Sequence, residues 1–109
     1  MLILNLTVLF FAGLREITKT NQVTLHFDKS LISLHDLVVC LIKKYSKLKE
    51  IVFQKISQKE IDDYLGNVTD FQITQVKFAK NRKILTDTTQ NAVFSDGDTI
   101  AIFLPLMGG

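Results

Sequence analysis

The chain opens on an alternating pattern. Leu4, Leu6, Val8 and Phe10 share one parity, Asn5 and Thr7 the other, and β-branched and aromatic residues fill the run. A strand within Met1–Leu14 is predicted. Val23, Leu25 and Phe27 alternate with Thr24 and His26 and predict a second strand. The polar stretch Gly13 to Asn21, with Arg15, Glu16 and Lys19, reads as the loop of a β-hairpin. The period then changes. Leu34, Leu37, Val38, Leu41 and Tyr45 recur at spacings of three and four, the apolar stripe of a helix from Leu34 to about Lys47. Ser33 is placed to cap it and Asp36 to favour its first turn. Lys43, Lys44, Lys47 and Lys49 crowd its C-terminal end, where cations suit the helix dipole.

Residues 49 to 74 are patterned more weakly. Ser57 with Glu60 forms a capping-box pair, Ile61, Tyr64 and Leu65 follow at helical spacing, and Gly66-Asn67 ends the run. A short second helix is predicted. Gln75 to Ala79 then reads as a strand with Val76 and Phe78 on one face. Asn81-Arg82-Lys83 reads as a turn, Ile84 and Leu85 as a short extended piece, and Ser95-Asp96-Gly97-Asp98 as a tight turn. Thr99 to Leu104 is the last strand. It is apolar nearly throughout, as expected of a strand covered on both sides or lying in an interface. The order predicts an α+β roll, a mixed sheet of four to five strands with one main helix across it. The first and last strands would lie parallel at its centre.

Composition narrows the function. At 109 residues, 47% hydrophobic and 22% charged, the chain is one ordinary globular domain. One cysteine excludes a disulfide framework and a Cys-based zinc cluster, and Cys40 within the helix reads as an apolar filler. The apolar opening lacks a basic leader and is too short to span a bilayer as a helix. A cytosolic protein with no membrane partner is expected, and the glycosylation sequons at Asn5 and Asn67 are then silent. Its 13 Lys and Arg are dispersed among 11 Asp and Glu, which argues against DNA. His26 and His35 lack companions at ligand spacing and read as a solvated strand face and a first-turn helix position. Asp96 and Asp98 read as turn residues, so no metal is expected. No phosphate-binding glycine loop, zinc-protease helix or nucleophile elbow is found.

The chemistry is left to the ending, Phe103-Leu104-Pro105-Leu106-Met107-Gly108-Gly109. Proline stops the strand because it has no N–H to donate. Gly108 and Gly109 would enter a channel too narrow for any Cβ.

Asp96-Gly97-Asp98, the strand Thr99 to Phe103 and the ending Pro105 to Gly109 resemble the ubiquitin-like sulfur-carrier group, most of all the small subunit of molybdopterin synthase. Val8 to Glu16 (VLFFAGLRE) is similar to that family's opening strand, and Phe78-Ala79-Lys80-Asn81 to its segment before the last loop. The matches stand in family order over about a third of the chain. Leu104 and Met107 depart from the family's usual proline and small polar residue. The stretch from about 46 to 74 is longer than usual, and the mildly basic charge is less usual.

The resemblance implies a ubiquitin-like β-grasp domain over 1–104, with an insertion at about 46–74 and a flexible Gly-Gly tail over 105–109. It implies that Gly109 is adenylated by an E1-like adenylyltransferase using ATP, then thiocarboxylated, and that it gives sulfur to a cyclic pyranopterin in molybdenum cofactor synthesis. Pro105, Leu106, Met107 and Gly108 would thread the pocket of the large synthase subunit in a heterotetramer, with Phe10, Phe103 and Leu104 in the interface. No bound cofactor is implied, and acid–base groups would come from the partner. Two alternatives stay open: a ubiquitin-related modifier acting in tRNA thiolation and protein conjugation, and a non-catalytic ubiquitin-like interaction module.

Overall fold

The structure is a computed structural model that describes residues 3–11, 13–52, 57–66, 76–86 and 92–104. The opening alternation forms β1 (Leu4–Phe10), with Leu4, Leu6, Val8 and Phe10 buried. β2 (Gln22–Phe27) pairs with it antiparallel, Leu6 opposite Leu25 and Val8 opposite Val23. The predicted hairpin is therefore present, but its connection is not an open loop. It contains α1 (Gly13–Thr18). Leu14 and Ile17 lie three residues apart and face inward, so the polar residues Arg15 and Glu16 are the wet side of a helical turn. Thr18 Oγ1 donates to the Leu14 carbonyl at 3.0 Å. Lys19 takes a φ of 65° and returns its N–H to the Arg15 carbonyl at 2.8 Å, a left-handed C-cap.

β3 (Leu31–Ser33) leads into α2 (Leu34–Lys44). Ser33 caps it as expected, its Oγ accepting from the Asp36 N–H at 3.1 Å. Leu34, Leu37, Val38 and Leu41 are buried against the sheet. The helix stops at Lys44, short of the predicted Lys47. Tyr45 turns inward there and packs edge-on against Phe10, ring centroids 5.7 Å apart at 83°. The Leu48 N–H then bonds the Tyr45 carbonyl at 3.0 Å and opens α3 (Leu48–Val52), which the sequence pattern did not reveal. His35 takes the first-turn position on α2 that the sequence predicts, and it is buried there.

The capping box is real. The Glu60 N–H donates to Ser57 Oγ at 3.2 Å, that hydroxyl donates to Glu60 Oε1 at 3.0 Å, and α4 (Gln58–Leu65) follows. Leu48, Val52 and Ile61 join the core, so the described parts of the insertion are packed structure. β4 (Lys77–Lys80) and β5 (Lys83–Ile84) form the next hairpin, with Val76 and Phe78 buried. Asn81 and Arg82 have φ of 51° and 76°, the left-handed pair that a two-residue hairpin turn needs. β6 (Val93–Ser95) pairs with β3 in a separate two-stranded sheet, and β7 (Thr99–Phe103) completes the main one. Asn67, Gln75 and the segment 105–109 lie outside the described residues.

The main sheet runs β2-β1-β7-β4-β5. β7 is parallel to β1 and antiparallel to β4, so the last strand lies at the centre, as the chain order predicted.

Candidate functional site at the end of the central strand

What positions the end of β7 is the anchoring of its start. The Asp96-Gly97 turn closes with the Asp98 N–H on the Ser95 carbonyl at 3.2 Å, and Gly97 takes a φ of 87° that disfavours a side chain. The turn is stitched to β1 by the Gly97 N–H on the Asn5 carbonyl at 2.9 Å and the Asn5 N–H on Asp96 Oδ1 at 2.8 Å.

Asp98 is more than a turn residue. Its side chain is buried, accepting from the Ser95 N–H at 2.8 Å through Oδ2 and from the Asn81 amide at 2.9 Å through Oδ1. Asn81 Oδ1 in turn accepts the Thr99 N–H at 2.9 Å, and Lys80 Nζ lies 3.8 Å from Asp98 Oδ2. Burial alone would raise the Asp98 pKa. The Ser95 N–H, the Asn81 amide and the Lys80 charge outweigh it and hold the carboxyl below its ordinary range. The start of β7, the β4–β5 turn and the start of β1 are thus one hydrogen-bonded unit.

At its other end β7 is less covered. Ile100 and Ile102 point into the core, while Thr99, Ala101 and Phe103 share the outer face and are half-buried. Leu104 follows, 39% exposed, beside Gly13 at the start of α1. Phe103 and Leu104 therefore offer apolar surface beside the end of β7. Phe10 does not. It is 1% exposed and fills the core against Tyr45, so its place in a partner interface is corrected to a packing role.

The sequence reading missed a row of apolar residues across the outer face. Leu9 stands beside Ala101, Ala101 beside Ala79, and Ala79 beside Ile84. Ile84 is 62% exposed, and Phe11 is exposed at one end of the row. A shallow groove of about 450 Å³ runs over Leu9, Phe11, Ala79 and Ala101 together with the polar Asn81, Arg82 and Thr99. The signal lay in the wrong-parity apolar residues, Leu9 on β1 and Phe11 just after it and Ala101 and Phe103 on β7, where a solvated face would carry polar ones.

The domain body offers little else for chemistry. Burial raises the Cys40 pKa against the opposing charges of Lys44 and Lys43, so the thiol stays protonated near neutrality. Among the described residues no three His, Cys, Asp or Glu gather as a metal site, and no helix is long and apolar enough to cross a membrane. What the arrangement provides is a partly apolar face beside the end of a fixed central strand. The expectations for Pro105, Leu106, Met107, Gly108 and Gly109 fall outside the described residues.

Comparison with known proteins adds three results. The ThiS family pattern matches residues 8–109. No curated protein matches the sequence. Among solved structures, small archaeal modifier protein 1 from Methanosarcina acetivorans is similar at 24% identity with a TM-score of 0.69, covering 100% of both chains. The Haloferax volcanii protein of the same name is similar at 18% identity and TM-score 0.69, covering 96% of this chain and 99% of that one. A Pyrococcus furiosus protein assigned as subunit 1 of a molybdopterin converting factor is similar at 20% identity and TM-score 0.65, covering 94% and 99%. At these identities the likeness is one of fold.

Proposed function

The chain belongs to the ThiS family and has its ubiquitin-like β-grasp fold, and from that premise we propose that it is a sulfur carrier acting through the α-carboxylate of Gly109. The observation that carries this reading is that the family match runs to the last residue, Gly109, beyond a strand held at the sheet centre. A central strand paired on both sides gives whatever follows it a fixed origin.

The chemistry follows from the weakness of a carboxylate as an electrophile. The Gly109 carboxylate attacks the α-phosphorus of ATP on an E1-like enzyme. Pyrophosphate leaves, and the acyl carbon is now bonded to AMP, a good leaving group. A persulfide from a separate donor attacks that carbon and expels AMP, leaving an acyl disulfide. A second thiol cleaves its S–S bond, is itself oxidised to a disulfide, and releases the thiocarboxylate. This sulfur then attacks a carbon of a cyclic pyranopterin held by the large synthase subunit and displaces an oxygen substituent. Water hydrolyses the resulting thioester, returning the Gly109 carboxylate and leaving the sulfur on the pterin. Acid–base groups come from that partner. The chain contributes sulfur, reach and a docking face, which makes the transfer effectively unimolecular. Phe103 and Leu104 supply contact beside the root of the tail, and the outer-face row supplies the rest.

The test is intact-mass measurement after incubation with the activating enzyme, ATP and a sulfur donor. The expected result is a gain of about 16 Da, one oxygen exchanged for sulfur, absent after deletion of Gly109. A gain that survives the deletion sinks the proposal.

The likeness to small archaeal modifier protein 1 over the whole of both chains favours a second reading, a modifier that is joined to lysines or passes sulfur to tRNA. Activation at Gly109 is common to both. Higher-mass covalent adducts in cell extract point to the modifier, and a tight non-covalent large subunit to the pterin role.

A further inference from the structure

A net charge of +2 conceals an uneven distribution. β1 and β7 are parallel, so the domain has two ends. One holds the start of β1, the Asp96-Gly97 turn and the N-terminus of α2. The other, here the tip, holds the ends of β1 and β7, α1, the C-terminus of α2 and α3. Phe10 pairs with Ile102, Tyr45 packs on Phe10, and α3 packs against both α1 and α2.

The first end is balanced. Asp28, Asp36, Asp96 and Asp98 meet Lys29, Lys80, Arg82 and Lys83, and two of those cations are paired, Lys29 to Asp36 at 3.5 Å and Lys80 to Asp98 at 3.8 Å. Among the described residues the tip is not balanced. Lys43 and Lys44 end α2, Lys47 and Lys49 follow in the turn and α3, and Arg15 and Lys19 belong to α1 and its cap. Lys77 stands opposite Phe103 on β4. The carboxylates on these elements are Glu16 and Glu50, and among the described residues none of the tip cations has an ion-pair partner. Lys44 lies over the Tyr45 ring, 5.9 Å from its centroid. α4, which packs on α2, carries Lys59 together with Glu60, Asp62 and Asp63, so the excess does not extend along the whole insertion.

We propose that this unpaired cationic collar, set around the root of the C-terminal segment, docks an acidic protein surface rimming the pocket that receives the tail. The proposal rests on the sulfur-carrier reading. A protein occupant is favoured over nucleic acid because exposed Phe11 and Leu104 lie within the same end, and a mixed apolar and charged patch suits a protein interface. Unscreened like charge at one end turns an approaching molecule so that this end arrives first, and it acts on association rate more than on the bound complex.

The experiment measures adenylation by the E1-like enzyme of the same organism as a function of carrier concentration. Lys43→Glu and Lys47→Glu are made singly and together, with Lys83→Glu as an equal charge change at the other end. Both tip residues are exposed, and thermal unfolding monitors the fold. At about 20 mM salt the double variant should lose roughly 10- to 100-fold in kcat/KM with kcat retained, and the gap should close near 1 M, where the screening length is about 3 Å. Lys83→Glu should lose far less than Lys47→Glu. Equal losses at the two ends, or a double variant matching wild type at low salt, overturn the collar while wild-type adenylation upholds the carrier. Wild-type chain that is not adenylated overturns the carrier reading, and the collar with it. A 20-nucleotide RNA bound at about 150 mM salt by wild type but not by the double variant replaces the acidic protein with nucleic acid.

Discussion

Asp98 shows what a single residue adds beyond its pattern. Its place beside Gly97 marked a turn, and the turn is there. The pattern could not show that its carboxylate also holds the Ser95 N–H and the Asn81 amide, because Asn81 is 17 residues away in sequence. Phe10 is the converse. Its parity with Leu4, Leu6 and Val8 already placed it in the core, and only the resemblance suggested an interface. For Asp98 the pH consequence has a definite sign. Its folded pKa is depressed, so its stabilisation is present above the unfolded value and is lost as pH falls through the folded one. The loss begins near pH 4, where an unfolded aspartate titrates. Asp98→Asn presents an amide to two donors where the carboxylate accepted from both. We expect it to cost about 1–3 kcal/mol at pH 7 and to flatten the acid limb of the stability curve, read by urea unfolding from pH 7 to 3. An unchanged acid limb would assign the acid sensitivity to another group.

At the scale of elements, length decided what was legible. β1, β2, α2 and β7 are long enough to repeat their period, and each was read to within a few residues. β3 and β6 are three residues each, too short for alternation to declare itself, and α3 is five. α1 looks like a loop in the sequence because Arg15, Glu16 and Thr18 fill half of its six positions and Leu14 alone among its apolar ones is fully sealed. The β4–β5 turn was found through Asn81, although Arg82 is an unusual second residue for it. A non-glycine side chain in the left-handed region costs about 1–2 kcal/mol, partly offset by the extra freedom of glycine in the unfolded chain. Arg82→Gly should therefore raise stability by a few tenths to about 1 kcal/mol, seen as a higher urea midpoint with an unchanged slope. A lower midpoint would mean that the Arg82 side chain contributes more than its backbone strain removes.

The molecule as a whole divides its work between two regions that should fail separately. One face of the sheet is sealed by α2. The other carries the row Leu9, Ala101, Ala79 and Ile84, with Leu9 and Ala101 half-buried and Ile84 exposed. The apolar character of Thr99 to Leu104 left two readings, a strand covered twice or a strand in an interface, and half-buried Ala101 and Phe103 favour the second. Ala101 lies at the middle of that row and points away from the core, so Ala101→Arg should fold. By placing a charge at the centre of a docking face it should raise the KM for adenylation at least roughly tenfold while kcat holds. A chain extended by one serine after Gly109 keeps the whole docking face but no longer ends in the glycine carboxylate. It should gain no sulfur under any condition, yet compete with wild type for the activating enzyme with an inhibition constant near the wild-type KM. The two variants then separate binding from chemistry on one small domain. If the extended chain were adenylated as well as wild type, the carboxylate of Gly109 would not be the reacting group. If Ala101→Arg bound as well as wild type, docking would have to be sought away from the open face.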